Sequence, residues 1–122
     1  MSSWLLDLTG KVAIVTGGGR GIGRAISVEF ARAGAAVVPA ARSVSEIEET
    51  AAMIRDEGGK ALAVPVDVLN IGRIQEMLDR TLDAFGKVDI LVNNAGGLPD
   101  NISPSFHDGY VLNLPIEDWK AE

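Results

Sequence analysis

Residues Thr16 to Gly23 read TGGGRGIG, five glycines in eight positions around a single long side chain, Arg20. The stretch joins an apolar run, KVAIVT (Lys11 to Thr16), to a segment of helical period. A helix N-terminus carries unpaired N–H groups and a partial positive charge, so it attracts anions, phosphates above all. Glycine lets the backbone turn tightly and lets a ligand approach where a Cβ would otherwise stand. A cation here opposes the helix dipole; its placement makes sense when a strong anion sits there to be held. Gly17, Gly19, Arg20, Gly21 and Ile22 are therefore candidate phosphate-binding residues. Gly23 would let the helix pack closely on its strand.

The elements that must position this loop alternate regularly. After KVAIVT, Ile22, Ile26 and Phe30 lie four apart with Ala25 and Ala33 beside them, predicting a helix buried along that face and closed by Gly34. AAVVPAA (Ala35 to Ala41) is a second strand, in which Pro39 lacks an N–H and would weaken a ladder paired on both sides. A helix from Val44 to Glu57 follows, with capping-box spacing at Ser45 and Glu48 and a stripe of Ile47, Ala51 and Ile54. ALAVPV (Ala61 to Val66) is a third strand. Ile71 to Phe85 is a third helix, with Ile74, Met77, Leu78 and Phe85 inward. VDILVN (Val88 to Asn93) is a fourth strand. Apolar strands joined by helical crossovers make a parallel sheet covered on both faces, an α/β doubly wound fold with strand order 3-2-1-4. The next residues hold three prolines and three glycines without a period, predicting a long loop over 97–115 before IEDWKAE, which reads as the first turns of a helix.

The glycine spacing, Thr16-Gly17-x-x-x-Gly21-x-Gly23, differs from the usual G-x-G-x-x-G dinucleotide fingerprint and resembles the short-chain dehydrogenase/reductase family. VDV (Val66 to Val68) after the third strand and NNAG (Asn93 to Gly96) at the end of the fourth match the same family in order, over residues 6–96 and weakly again at Trp119. The resemblance implies a Rossmann-like sheet and an oxidoreductase transferring hydride between a nicotinamide cofactor and a carbonyl or alcohol. Asp67, at a strand end, can accept from an adenine amino group, with the Val68 backbone beside the same ring; Asp67 could instead cap the third helix, a task for which Asn70 competes. Ala95 and Gly96 leave room for a ribose or nicotinamide. By resemblance Asn94 holds the cofactor and its neighbour ties adjacent strands.

An acidic residue some twenty positions past the glycines grips the ribose hydroxyls of NAD in such folds. Here the second strand ends PAARS, with Ala41 where the acid is expected and Arg42 after it. No carboxylate repels a 2′-phosphate there, and Arg20 and Arg42 can bracket one, since a guanidinium fork binds two oxygens at once. NADP(H) is the expected cofactor, in preference to NAD(H).

The resembled family carries its catalysis on a serine and a Tyr-x-x-x-Lys on the next strand and helix, with an asparagine on the helix before. Tyr110 is the only tyrosine here, Leu114 stands four residues on, and no Tyr-x-x-x-Lys occurs. Ser103, Ser105, His107, Asp108 and Tyr110 lie too close together in sequence to form a triad of the usual kind. No residue of this chain is assigned to catalysis. The expectation is a 122-residue NADP-binding half-domain, cut short after the fourth strand and inactive alone, from a reductase of ordinary family length. A nucleotide-binding module or inactive remnant is the alternative, and an α/β domain with a signalling or structural role a third. In a chain that stops there, VDILVN would be an exposed edge.

Composition agrees with a globular α/β domain: 47% hydrophobic and 23% charged residues, a net charge of −6 and no cysteine. With no basic run, nucleic acid is not expected as a partner. No signal peptide or membrane span is evident, which gives a cytoplasmic protein as the expectation, acting on a small-molecule carbonyl or alcohol and homo-oligomeric as the full-length parent.

Overall fold

A computed structural model describes residues 7–67, 70–94 and 110–112. The first strand, β1 (Val12–Thr16), is buried throughout, as an apolar run with no polar alternation requires. Around it lie α1 (Gly21–Arg32), β2 (Ala36–Ala41), α2 (Val44–Asp56), β3 (Lys60–Ala61), β4 (Val64–Pro65), α3 (Ile71–Phe85), β5 (Ile90–Asn93) and β6 (Tyr110–Leu112). The sheet runs β3-β2-β1-β5-β6, with β4 also beside β2. Apart from β6, all of its pairs are parallel. Since β3 and β4 together are the third strand of the sequence and β5 is the fourth, the order 3-2-1-4 holds.

The strand expected over Ala61–Val66 is split, and Pro39 explains the break. The Val37 and Ala41 carbonyls accept from the N–H groups of Leu62 at 3.1 Å and Val66 at 2.9 Å, so alternate residues of β2 bond toward that edge. Pro39 lies between them with the same parity and has no N–H to give. The ladder stops at Ala61 and resumes at Val64.

Alternation along the strands builds two cores, one per face. Ala13, Val15, Val37, Ile90 and Val92 pack with Val28 of α1 and Ile54 of α2. Ile14, Val38, Val64 and Val66 pack with Met77 and Leu78 of α3. Helices α1 and α2 thus cover one side and α3 the other.

Three details differ from expectation. In α1 the buried positions are Gly23, Ser27 and Val28; Ile26 and Phe30 are half-buried, and Ile22 is 72% exposed, so the buried face is turned by about one residue. The cap of α2 is Ser43, whose Oγ accepts from the Glu46 N–H, rather than Ser45 with Glu48. Tyr110–Leu112, within the segment read as loop, forms an antiparallel strand against Leu91–Asn93, so β5 is not a bare edge.

Candidate functional site

The carboxyl ends of β1, β2 and β5 and the start of α1 meet at one edge of the sheet, where folds of this kind bind ligands. The glycine turn is pinned to the sheet from behind: the N–H groups of Gly17 and Gly18 donate to the Ala40 carbonyl at 2.8 and 3.3 Å. Gly21 has φ +56°, a left-handed conformation that suits glycine. Gly23 is required by contact. A Cβ there would lie 1.9 Å from the Gly17 carbonyl oxygen and 2.9 Å from Asn94 Nδ2. With that close approach, α1 starts directly beside the ends of β1 and β5.

The three helices differ at their N-termini. Ser43 caps α2, and Asn70 caps α3 by accepting from the Arg73 N–H at 3.3 Å. Arg20 occupies the cap position of α1, carries no acceptor and makes no capping bond, and no acidic residue stands in the first turn. The first N–H groups of α1 therefore lack the side-chain acceptor that the other two helices have, which is the donor set an anion needs.

Arg20 and Arg42 are both exposed, one at the head of α1 and one just past β2. Among the described residues neither guanidinium holds an ion pair or a side-chain hydrogen bond, as is true also of Arg80 on α3, whereas Arg24, Arg32, Arg55 and Arg73 all do. Ala41 is the last residue of β2, so no carboxylate stands at that strand end. Three of the four large apolar side chains exposed among the described residues, Ile22, Val44 and Ile71, sit in the opening turns of α1, α2 and α3. All three helices open at the sheet edge that carries Arg20 and Arg42.

The ends of β1 and β5 are tied by one hydroxyl. Thr16 Oγ1 lies 3.2 Å from the Val92 carbonyl and 3.3 Å from Asn93 Oδ1, and accepts from the Asn94 N–H at 3.0 Å. Both asparagines thus join the two strands, Asn93 through its side chain and Asn94 through its backbone N–H. Asp67 is half-buried beyond β4, and its carbonyl accepts from the Asn70 N–H at 2.9 Å. The side chain that caps α3 is that of Asn70. Of the other sequence candidates, Val68, Ala95 and Gly96 lie outside the described residues, as do Ser103, Ser105, His107 and Asp108.

Sequence reasoning passed over Arg24 and Thr50. Arg24 extends from α1 to α2 behind the glycine turn, donating to the Gly19 carbonyl at 2.6 Å, the Glu46 carbonyl at 3.2 Å, Thr50 Oγ1 at 3.0 Å and Glu49 Oε1 at 2.6 Å. Thr50 is fully buried and donates to the Gly18 carbonyl at 2.9 Å. The available signal was a hydroxyl set inside the apolar stripe Ile47, Ala51, Ile54.

A glycine turn feeding a helix at the carboxyl edge of a doubly covered parallel sheet defines a Rossmann-like α/β protein. The sequence model described as short chain dehydrogenase matches residues 11–121, and the chain belongs to the short-chain dehydrogenase/reductase family, corresponding to its N-terminal part. It is 48% identical over 117 residues to the short-chain dehydrogenase/reductase homolog YusS of Bacillus subtilis (strain 168), covering 95% of each chain. It is 38% identical to a 3-oxoacyl-[acyl-carrier-protein] reductase of Synechocystis, covering 93% of this chain and 43% of that one. Among solved structures, a hydroxysteroid dehydrogenase from Escherichia coli superposes with a TM-score of 0.74 at 37% identity, over 85% of this chain and 45% of the other. A 7α-hydroxysteroid dehydrogenase solved with NADH gives a TM-score of 0.74 at 38% identity, over 83% and 41%. The chain thus spans the length of YusS but less than half of these other relatives. Among the described residues, no helix is long and apolar enough to cross a membrane, and no group of His, Cys, Asp or Glu could hold a metal ion.

Proposed function

We propose that this chain is the cofactor-binding half of an NADP(H)-dependent oxidoreductase acting on a carbonyl or alcohol substrate. The observation that carries the reading is the pair of exposed guanidinium groups, Arg20 and Arg42, without partners among the described residues, beside a strand that ends in Ala41 instead of a carboxylate. When bound, the nicotinamide cofactor supplies or takes up the hydride. The residues here bind and orient it. The amides of Gly21, Ile22 and Gly23 face the pyrophosphate with the helix dipole behind them. Arg20 and Arg42 hold the 2′-phosphate, Asp67 and the Val68 backbone face the adenine, and Asn94, Ala95 and Gly96 border the nicotinamide ribose. Ile22 and Val44 offer apolar contact to ring faces. Two charge-assisted contacts of ~1.5–3 kcal/mol each, before screening, are enough for a preference of tenfold or more.

The test is a fluorescence titration of the 122-residue chain with NADPH and NADH. Saturable binding at least about tenfold tighter for NADPH is expected; equal affinity, or tighter NADH, removes the 2′-phosphate reading. The absence of Tyr-x-x-x-Lys from the sequence supports a second reading for the isolated chain, a nucleotide-binding module without turnover. Under both readings the chain binds NADPH without oxidising it when a carbonyl compound is added.

A further inference from the structure

We propose that Arg24 is a positioning residue: by bolting α2 to the glycine turn it fixes the separation of Arg20 and Arg42, and so sets the preference for a 2′-phosphorylated dinucleotide. The proposal rests on the cofactor reading above and assigns that selectivity to a residue that does not touch the ligand.

The two cations ride on different elements. Arg20 directly follows Gly19, whose carbonyl accepts from Arg24 Nη2 at 2.6 Å. Arg42 directly precedes Ser43, the cap of α2, and the first turns of that helix supply the remaining Arg24 acceptors. These are the Glu46 carbonyl at 3.2 Å, Glu49 Oε1 at 2.6 Å and Thr50 Oγ1 at 3.0 Å. Thr50 reinforces the link, since its hydroxyl donates to the Gly18 carbonyl at 2.9 Å and lies 3.2 Å from the Glu46 carbonyl. The fit is tight on the same seam: a Cβ at Gly19 would lie 2.8 Å from Glu46 Cβ. A guanidinium has five donors in a planar fork and can span all of these acceptors, which an ammonium on a flexible stem cannot do in one geometry.

The pyrophosphate cradle is anchored differently. Its amides belong to α1, which seats on β1 through Gly23 against Gly17, and the turn hangs on Ala40 of β2. Loosening α2 from the turn therefore moves Arg42 relative to Arg20 while leaving the opening of α1 in place. The predicted result is selective: affinity for the 2′-phosphate falls and affinity for the common part of the cofactor is retained.

Arg24→Lys, Thr50→Val and Arg80→Gln variants of the full chain would be titrated with NADPH and NADH, and with adenosine 2′,5′-bisphosphate and 5′-AMP. Circular dichroism and a melting curve establish folding for each. Arg80→Gln removes one exposed positive charge from α3, outside the seam, and reports on charge alone. In the lysine and valine variants the ratio of NADPH to NADH affinity should fall about tenfold, the equivalent of one charge-assisted hydrogen bond, with the ratio unchanged in Arg80→Gln. Thr50→Val keeps every charge and nearly the same shape, so it tests the link even if the lysine variant does not fold. Folded variants that keep the parent ratio, or that lose both cofactors equally, overturn the positioning role while the NADP(H) reading stands. A parent chain without preference for NADPH overturns both.

Discussion

Replacing Gly23 by alanine tests whether close contact, and not mere turn flexibility, explains the glycine motif. The new Cβ would sit 1.9 Å from the Gly17 oxygen, 2.7 Å from its carbonyl carbon and 2.9 Å from Asn94 Nδ2. The first of these is roughly 1.5 Å inside ordinary van der Waals contact and the other two about half an ångström or more. The obstacle is backbone, so no side-chain rotation relieves it, and α1 must move off β1. Overpacking costs ~1–3 kcal/mol, here at the upper end, and alanine recovers ~1 kcal/mol of helix propensity. The net loss is about 2 kcal/mol, or a fall of roughly 10 °C in melting temperature for a domain of this size. Because α1 carries the cradle with it, NADPH affinity should fall at least about tenfold in the chain that remains folded. Gly21→Ala is the matched control. Its Cβ meets nothing within 4 Å, and its only penalty is the φ of +56°, about 1–2 kcal/mol. Thermal unfolding followed by circular dichroism should therefore rank the parent above Gly21→Ala and Gly21→Ala above Gly23→Ala. A Gly23→Ala chain that melts as high as the parent would refute the contact argument.

Thr16→Val keeps the shape of a buried side chain but removes the acceptor of the Asn94 N–H and the donor at the Val92 carbonyl. It should cost about 1–2 kcal/mol in a denaturant titration, and no change would show that water or slack replaces the tie. Glu57 is exposed, and its hydrogen bonds to Arg32 hold its carboxyl below the ordinary carboxylate range; Asp7 is lowered likewise by the Thr9 N–H and hydroxyl. A lowered folded-state pKa means that the unfolded chain binds more protons. The stabilisation is thus complete above the ordinary carboxylate range and is lost as the pH falls through the lowered values. Glu57→Gln should flatten the acid limb of the stability–pH curve at low salt and change little in high salt, because both groups are solvent-screened. An unchanged acid limb would show that the pair with Arg32 contributes nothing.

From β1 to β5 the sequence by itself determined the order and type of the elements, because those depend on local chemistry. The apolar runs, the helical periods, the glycine stops and the placing of the glycine motif between a strand and a helix all survive in the structure. The third helix begins and ends where its pattern predicts, at Ile71 and Phe85. Only tertiary contact decided the rest. Adjacent stripes of α1 differ by about 100° of rotation, and which one turns inward depends on how near the helix comes to β1, a distance set by Gly23 against Gly17. The break at Pro39 depended on which side of β2 that residue faces. The pairing of Tyr110–Leu112 with β5 joins residues far apart in the chain and leaves no local pattern. Arg24 reads locally as one more exposed charge on a helix. Its place in the site follows from the packing of α2 alongside α1, because a side chain's partners are fixed by the three-dimensional approach of elements that the sequence lists only one after another.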